Sequence, residues 1–202
     1  MKVFKFGGAS VKDASGVKNL VLVLEKVGFK ETLIVVSAMG KTTNALEAII
    51  ETYFNNKKQT PTEILSLKQF HLDVVKDLFR EESGEVETAI HQLFEELITF
   101  FNTNKSPDYS FVYDQVVSYG ELLSTTIIHH FIQKKKIDSF WLDARNCIKT
   151  DDYYRSANLN WELTINEINQ QIGKNSLIIT QGFIGSNSNN FTTTLGLSLI
   201  HI

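Results

Sequence analysis

Long apolar runs are missing from this sequence. No hydrophobic stretch approaches the roughly 20 residues that a membrane-spanning helix needs, and the start is charged by Lys2 with no apolar signal core behind it. Cysteine is nearly absent. Cys147 is the only one, which excludes a disulfide framework and a cysteine-based zinc site and fits a reducing cytoplasm. Two prolines and eleven glycines leave no low-complexity linker, and no internal repeat stands out. Strong charge of one sign is lacking too: the net charge is −3, so neither a nucleic acid nor a membrane is an expected partner. What remains is a 202-residue chain, 43% hydrophobic and 21% charged, enough for one large globular domain or two small ones.

The chain opens on Val3, Phe4 and Phe6, a short apolar run that suits a buried strand. It stops at Gly7-Gly8, and a helical pattern begins near Asp13 and runs through Val17, Leu20, Val21, Leu24 and Val27 to Gly28. Leu33-Ile34-Val35-Val36 reads as a strand buried on both faces, and a second helix is expected from about Thr43 to Phe54. Two long helical patterns then fill residues 61–101, broken at Ser83-Gly84, and a third covers roughly residues 111–135. A strand around Phe140-Trp141-Leu142, a short helix near residues 161–172, a buried strand at Leu177-Ile178-Ile179-Thr180 and a hairpin over residues 183–195 complete the pattern. The order predicts an α/β fold: a mostly parallel sheet between helix layers, with a helical insertion at about 61–101.

Several residues stand out chemically. Lys5 at a strand end, Gly7 and Gly8 in the turn and the hydroxyl of Ser10 form an arrangement that suits anion binding, through free N–H groups and a helix N-terminus. The same residues also make an ordinary β–α turn with a surface lysine. Gly40-Lys41-Thr42 ends like a phosphate-binding P-loop, but Val35 stands where that loop needs its first glycine, so the motif is rejected. Gly40 instead suits a close backbone approach, and Thr42 and Thr43 suit a helix start. Gly120 inside an apolar helix costs about 1 kcal/mol relative to alanine; a close contact or plain tolerance accounts for it. Glu121 is either a surface glutamate or a carboxylate for an ammonium group. His129-His130 lack metal-ligand spacing. Asp143, Asp151 and Asp152 lie around a strand end where a cation can be held or a loop capped. Cys147 reads as a packed thiol.

Five stretches, in order and over nearly the whole chain, resemble the catalytic domain of aspartokinases (aspartate kinases) in the amino-acid kinase superfamily. They are Lys5-Phe6-Gly7-Gly8-Ala9-Ser10, residues 36–44, Ser118-Tyr119-Gly120-Glu121, Asp143-Ala144-Arg145 with Thr150-Asp151-Asp152, and residues 180–185 with 192–196. The resemblance implies transfer of the γ-phosphoryl group of ATP to the β-carboxylate of L-aspartate, in a cytoplasmic enzyme that is a homo-oligomer at full length. It implies that Lys5 contacts the transferring group, that Gly7, Gly8 and Ser10 serve the nucleotide phosphates, and that Ser37, Thr43, Glu121 and Phe183 surround aspartate, with Glu121 on its ammonium. Mg²⁺ accompanies ATP, with no ligands identified. After Gly196 the family pattern continues with an arginine, where this chain has Leu197. The expectation is therefore that residues 1–196 are the N-terminal part of the catalytic domain and 197–202 a non-native tail, matching one reading frame of a transposase adapter. Such a fragment, with the aspartate side but little of the nucleotide side, is expected to be inactive alone. The competing readings are an acetylglutamate or glutamate kinase and a non-catalytic amino-acid-binding module.

Overall fold

The computed structural model describes residues 1–57, 59–173 and 176–196. The expected tail at 197–202, with Leu197, lies outside the described residues. Four strands form one parallel sheet: β1 (Lys2–Phe6), β2 (Thr32–Val36), β3 (Phe140–Leu142) and β4 (Leu177–Gln181), in the order β1-β2-β4-β3. Between β1 and β2 lies α1 (Ala14–Val27), whose first turn is capped by the Asp13 carboxylate accepting the Gly16 N–H at 2.9 Å. Gly28, at φ 77°, ends it.

Between β2 and β3 run α2 (Thr42–Asn55), α3 (Thr60–Phe79), α4 (Gly84–Thr103) and α5 (Tyr109–Lys134). The predicted insertion is thus the antiparallel-looking pair α3 and α4, whose apolar stripes enter the main core. The chain then continues through α6 (Ala144–Cys147) and α7 (Trp161–Ile172), and after β4 through a small antiparallel pair, β5 (Ile184–Ser186) and β6 (Thr192–Thr194). Its turn is closed by Asn187, whose side chain accepts the N–H groups of Asn189 and Phe191.

One sheet face, carrying Phe4, Phe6, Ile34, Val36, Leu177 and Ile179, joins the large core made with α1 to α5. The other face carries Leu33, Leu142 and Ile178, packed on Ile168 and Ile172 of α7. Two expectations change here. Among the described residues the first strand is an edge strand and not buried, with Val3 62% exposed, because β1 pairs with β2 alone and α7 packs toward β2, β3 and β4. Beside that edge Leu33 and Val35 are half-buried, so β2 alternates and is not sealed on both faces. The helix expected near Asp13 is α1, with Asp13 as its N-cap, and a short turn separates it from β1. Gly8–Val11 form a separate 3₁₀ turn, and α1 begins three residues later.

Candidate active site

Strand register builds the site. Lys5 pairs with Val35, Val35 with Thr180, and Thr180 with Leu142. Alternation places these four side chains in one row across the α7-facing side, near the carboxyl ends of the strands. A cavity of about 430 Å³ opens over this row, lined by Lys5, Val35, Ser37, Thr180 and Phe183 among others. The outer ends of parallel strands are where open α/β sheets bind ligands.

Two loops meet beside it. The Gly40 N–H donates to the Gly8 carbonyl at 3.0 Å, and Ser37 N–H to the Phe6 carbonyl at 3.1 Å. A Cβ on Gly8 would lie 2.6 Å from the Ala38 carbonyl oxygen, so only glycine allows this approach. Gly40 has φ 53°, a second reason for glycine in the clasp. A Cβ on Gly7 would meet nothing within 4 Å. The Ser10 N–H closes the 3₁₀ turn onto the Gly7 carbonyl at 2.9 Å, which leaves the Gly8 and Ala9 N–H groups outside the turn's own bonding. Lys5, Ala9 and Ser10 are exposed.

Behind Ala38 stands α5. A Cβ on Gly120 would lie 2.8 Å from the Ala38 Cβ, so close contact, and not tolerance, explains this helical glycine. The next residue, Glu121, is 3% exposed, which removes the surface reading. Its Oε1 accepts the Ala38 N–H at 3.1 Å, and its buried Oε2 has no partner. Burial pushes the Glu121 carboxyl up to about 7, with the Ala38 N–H pulling the other way. Ser124, one turn on, donates to the Ser37 carbonyl at 2.9 Å and ties the same loop to α5.

Phe183 sits in a γ-turn. The Ile184 N–H donates to the Gly182 carbonyl at 2.8 Å, and Phe183 has φ 69°. The Leu195 N–H holds the Phe183 carbonyl at 2.8 Å. The ring packs with Leu122 and Ile184.

Of the predicted residues, the structure brings Lys5, Ser37 and Phe183 to one cavity. Glu121 lies directly behind the Ala38 backbone. Thr43, in the first turn of α2, and Gly7, Gly8 and Ser10, in the adjoining turn, are not on the cavity lining. Of the three aspartates that the sequence offered for a cation, Asp152 is exposed in its loop and the other two are committed. Asp143 caps α6 and pairs with Arg145 at 2.6 Å, and Asp151 accepts from Tyr153 and Asn158. Among the described residues no group of three His, Cys, Asp or Glu side chains is arranged to hold a metal. Cys147 is buried, and burial raises its thiol to about 11, as a packed thiol should be.

Sequence reasoning missed Thr180, a cavity residue 7% exposed whose hydroxyl has no partner. A threonine within an otherwise apolar strand run was the available signal. It also missed Gln181, whose amide donates to Thr125 Oγ1 at 2.7 Å and accepts from the Ala144 N–H at 2.7 Å, joining β4 to α5 and α6.

Parallel strands, crossover helices and a cavity over the strand ends define an α/β domain of the open-sheet class, in which that crevice is the general place for a ligand. The chain belongs to the amino acid kinase family, whose model matches residues 1–198. It is 29% identical over 96% of its length to lysine-sensitive aspartokinase 3 of Escherichia coli (strain K12), and 28% identical over 96% to aspartokinase of Chlamydia pneumoniae. It covers 43% and 41% of those proteins, less than half of each. Among solved structures it is similar to E. coli aspartokinase III in complex with lysine and aspartate, with a TM-score of 0.87, 25% identity, and coverage of 98% of this chain and 44% of that one. The same enzyme in complex with aspartate and ADP gives a TM-score of 0.86.

Proposed function

We propose that this chain is the aspartate-side part of an aspartate kinase, an enzyme that transfers the γ-phosphoryl group of ATP to the β-carboxylate of L-aspartate. The observation that carries the reading is Glu121. It is a nearly fully buried carboxylate with one oxygen fixed on Ala38, the residue next to the cavity residue Ser37, and the other unpartnered. A buried oxygen of this kind needs a cation or a donor, and the α-ammonium of an amino acid supplies both. The aspartokinase relatives support the same substrate class.

In this reading Glu121 takes the ammonium, while Ser37, Thr43 and Phe183 flank the amino acid. Lys5 faces the reacting carboxylate and the transferring phosphoryl group, where its charge offsets what builds up in the transition state. The glycine turn, with Gly7, Gly8 and Ser10, offers N–H and hydroxyl donors to phosphate oxygens. The solved relative with ADP supports a nucleotide as the phosphoryl donor. Mg²⁺ belongs to the proposal only as a companion of ATP, since the described residues hold no carboxylate cluster that fits it, and no step is assigned to it. A cytoplasmic, homo-oligomeric full-length enzyme completes the proposal.

The test is made on the full-length protein, with aspartyl phosphate trapped as its hydroxamate. Wild type should form it from aspartate and ATP and not from acetylglutamate or glutamate. Lys5→Ala should lose at least about a hundredfold in turnover, in line with removal of one transition-state contact, and keep its circular dichroism and melting transition. Near-normal turnover in that variant would refute the reading.

A further inference from the structure

Asp114, on α5, is fully buried and takes no part in the cavity lining. Its carboxylate gathers two segments that are far apart in the chain. It accepts the Thr194 N–H at 2.8 Å, the Thr194 hydroxyl at 2.7 Å and the Arg155 N–H at 3.0 Å. The Arg155 guanidinium makes no ion pair with it. That group lies over the rings of Tyr113 and Tyr109, at 4.6 and 5.6 Å from their centroids. Tyr113 and Tyr109 in turn donate to Glu47 and Glu51 of α2, each at 2.7 Å. Asp114 therefore spends its charge on backbone and hydroxyl donors, and both of its oxygens are occupied.

What these donors hold is more informative than the donors themselves. The residue after Thr194 is Leu195, whose N–H grips the Phe183 carbonyl. Phe183 has φ 69°, a conformation that costs an L-residue on the order of 1–2 kcal/mol and persists only where the surroundings impose it. The Thr194 carbonyl also accepts the Ala157 N–H at 3.0 Å, so the Arg155 and Thr194 segments are bound to each other as well as to Asp114. A chain of direct contacts thus runs from Asp114 through Thr194 and Leu195 to the γ-turn on the cavity wall.

We infer that Asp114 is a positioning residue: by anchoring Thr194 it sets Leu195 against Phe183 and holds the Phe183 turn in the geometry that shapes the amino-acid side of the cavity. The inference rests on the aspartate kinase reading for its kinetic consequence but not for its structural one. Asparagine at 114 keeps one acceptor oxygen and sets an amide donor against donors that now share a carboxylate. It should loosen the turn without emptying the core.

The experiment uses full-length protein and two variants, Asp114→Asn and Thr194→Val, with Thr194→Ser as the conservative partner. Amide hydrogen exchange is read first, because it needs no activity. The Ile184 and Leu195 amides should exchange at least about tenfold faster in Asp114→Asn and Thr194→Val, while β2 and β4 amides are unchanged and Thr194→Ser matches wild type. Unchanged exchange at Ile184 and Leu195, or equal acceleration across the whole sheet, overturns the inference. Steady-state kinetics come second. KM for aspartate should rise roughly tenfold or more, as small misplacements do, with KM for ATP within about twofold. If both KM values and kcat move together, the role is general stability and the inference fails. If wild type makes no aspartyl phosphate, the function proposal fails by itself, and the exchange result still decides the role of Asp114. Should Asp114→Asn not fold, the Thr194 pair carries the same comparison.

Discussion

Glu121 and Ala38 hold each other across the site: the carboxylate Oε1 takes the Ala38 N–H at 3.1 Å, and the Gly120 backbone beside it presses on the Ala38 methyl group. One alanine is thus fixed from two consecutive positions of α5, and with it the loop that carries Ser37.

The buried carboxylate makes a pH prediction. The folded-state pKa of Glu121 is about 7 against an ordinary glutamate value of 4.5, so between these values the folded state holds the proton more tightly than the unfolded state does. Stability from this group is full below about 4.5 and is lost as the pH rises through 7, by on the order of 3 kcal/mol. Glu121→Gln should remove that loss, so its urea-unfolding free energy gains on wild type from pH 5 to pH 8. An unchanged difference across this range would sink the idea. His71 works in the opposite sense. Its Nδ1–H donates to the Leu67 carbonyl at 2.9 Å, and burial lowers its pKa to about 4, so its contribution is lost as the pH falls from about 6.5 toward 4. Wild type should therefore show a flatter stability profile between these limits than Glu121→Gln, which should climb with pH.

Gly120→Ala separates helix propensity from packing. On an exposed helix the change would stabilise by about 1 kcal/mol. Here the new methyl meets the Ala38 Cβ at 2.8 Å, and overpacking of this kind costs roughly 1–3 kcal/mol. The melting temperature should fall, and Ala38→Gly in the same chain should restore part of it. A stabilised single variant would contradict the contact.

Thr180→Val tests the unpartnered hydroxyl. Removing a buried polar group that has no partner relieves a desolvation cost of about 1–3 kcal/mol. Valine has nearly the same shape, so unfolding should be unchanged or shifted upward in temperature. A clear loss of stability would mean that the hydroxyl is bonded in the folded protein.

The parallel sheet, the helical insertion and the hairpin were legible because each rests on local pattern: β-branched runs, 3.6-residue periodicity and an asparagine-rich turn. The glycine clasp was half legible. Gly8 and Gly40 announced close approaches but not that they approach each other. Burial of β1 was misread because an apolar run does not say whether a strand has one neighbour or two. The Glu121 alternatives could be separated only by packing, since helical spacing leaves a residue beside apolar neighbours free to point inward or outward. Asp114 carried no signal at all. Its partners lie about 40 and 80 residues further on, and only the folded chain brings them to it.

The row Lys5–Val35–Thr180 has a kinetic meaning as well as a chemical one. Val35 meets Lys5 across a short crossover, but it meets Thr180 only after the whole helical segment has been bypassed. Pairings of such long sequence separation form late, because the loop entropy is lost before the contact is gained. The helices can consolidate early through contacts close in sequence. The cavity wall is then the last surface to appear, so a partly folded chain would be rich in helix and still have no cavity to fill.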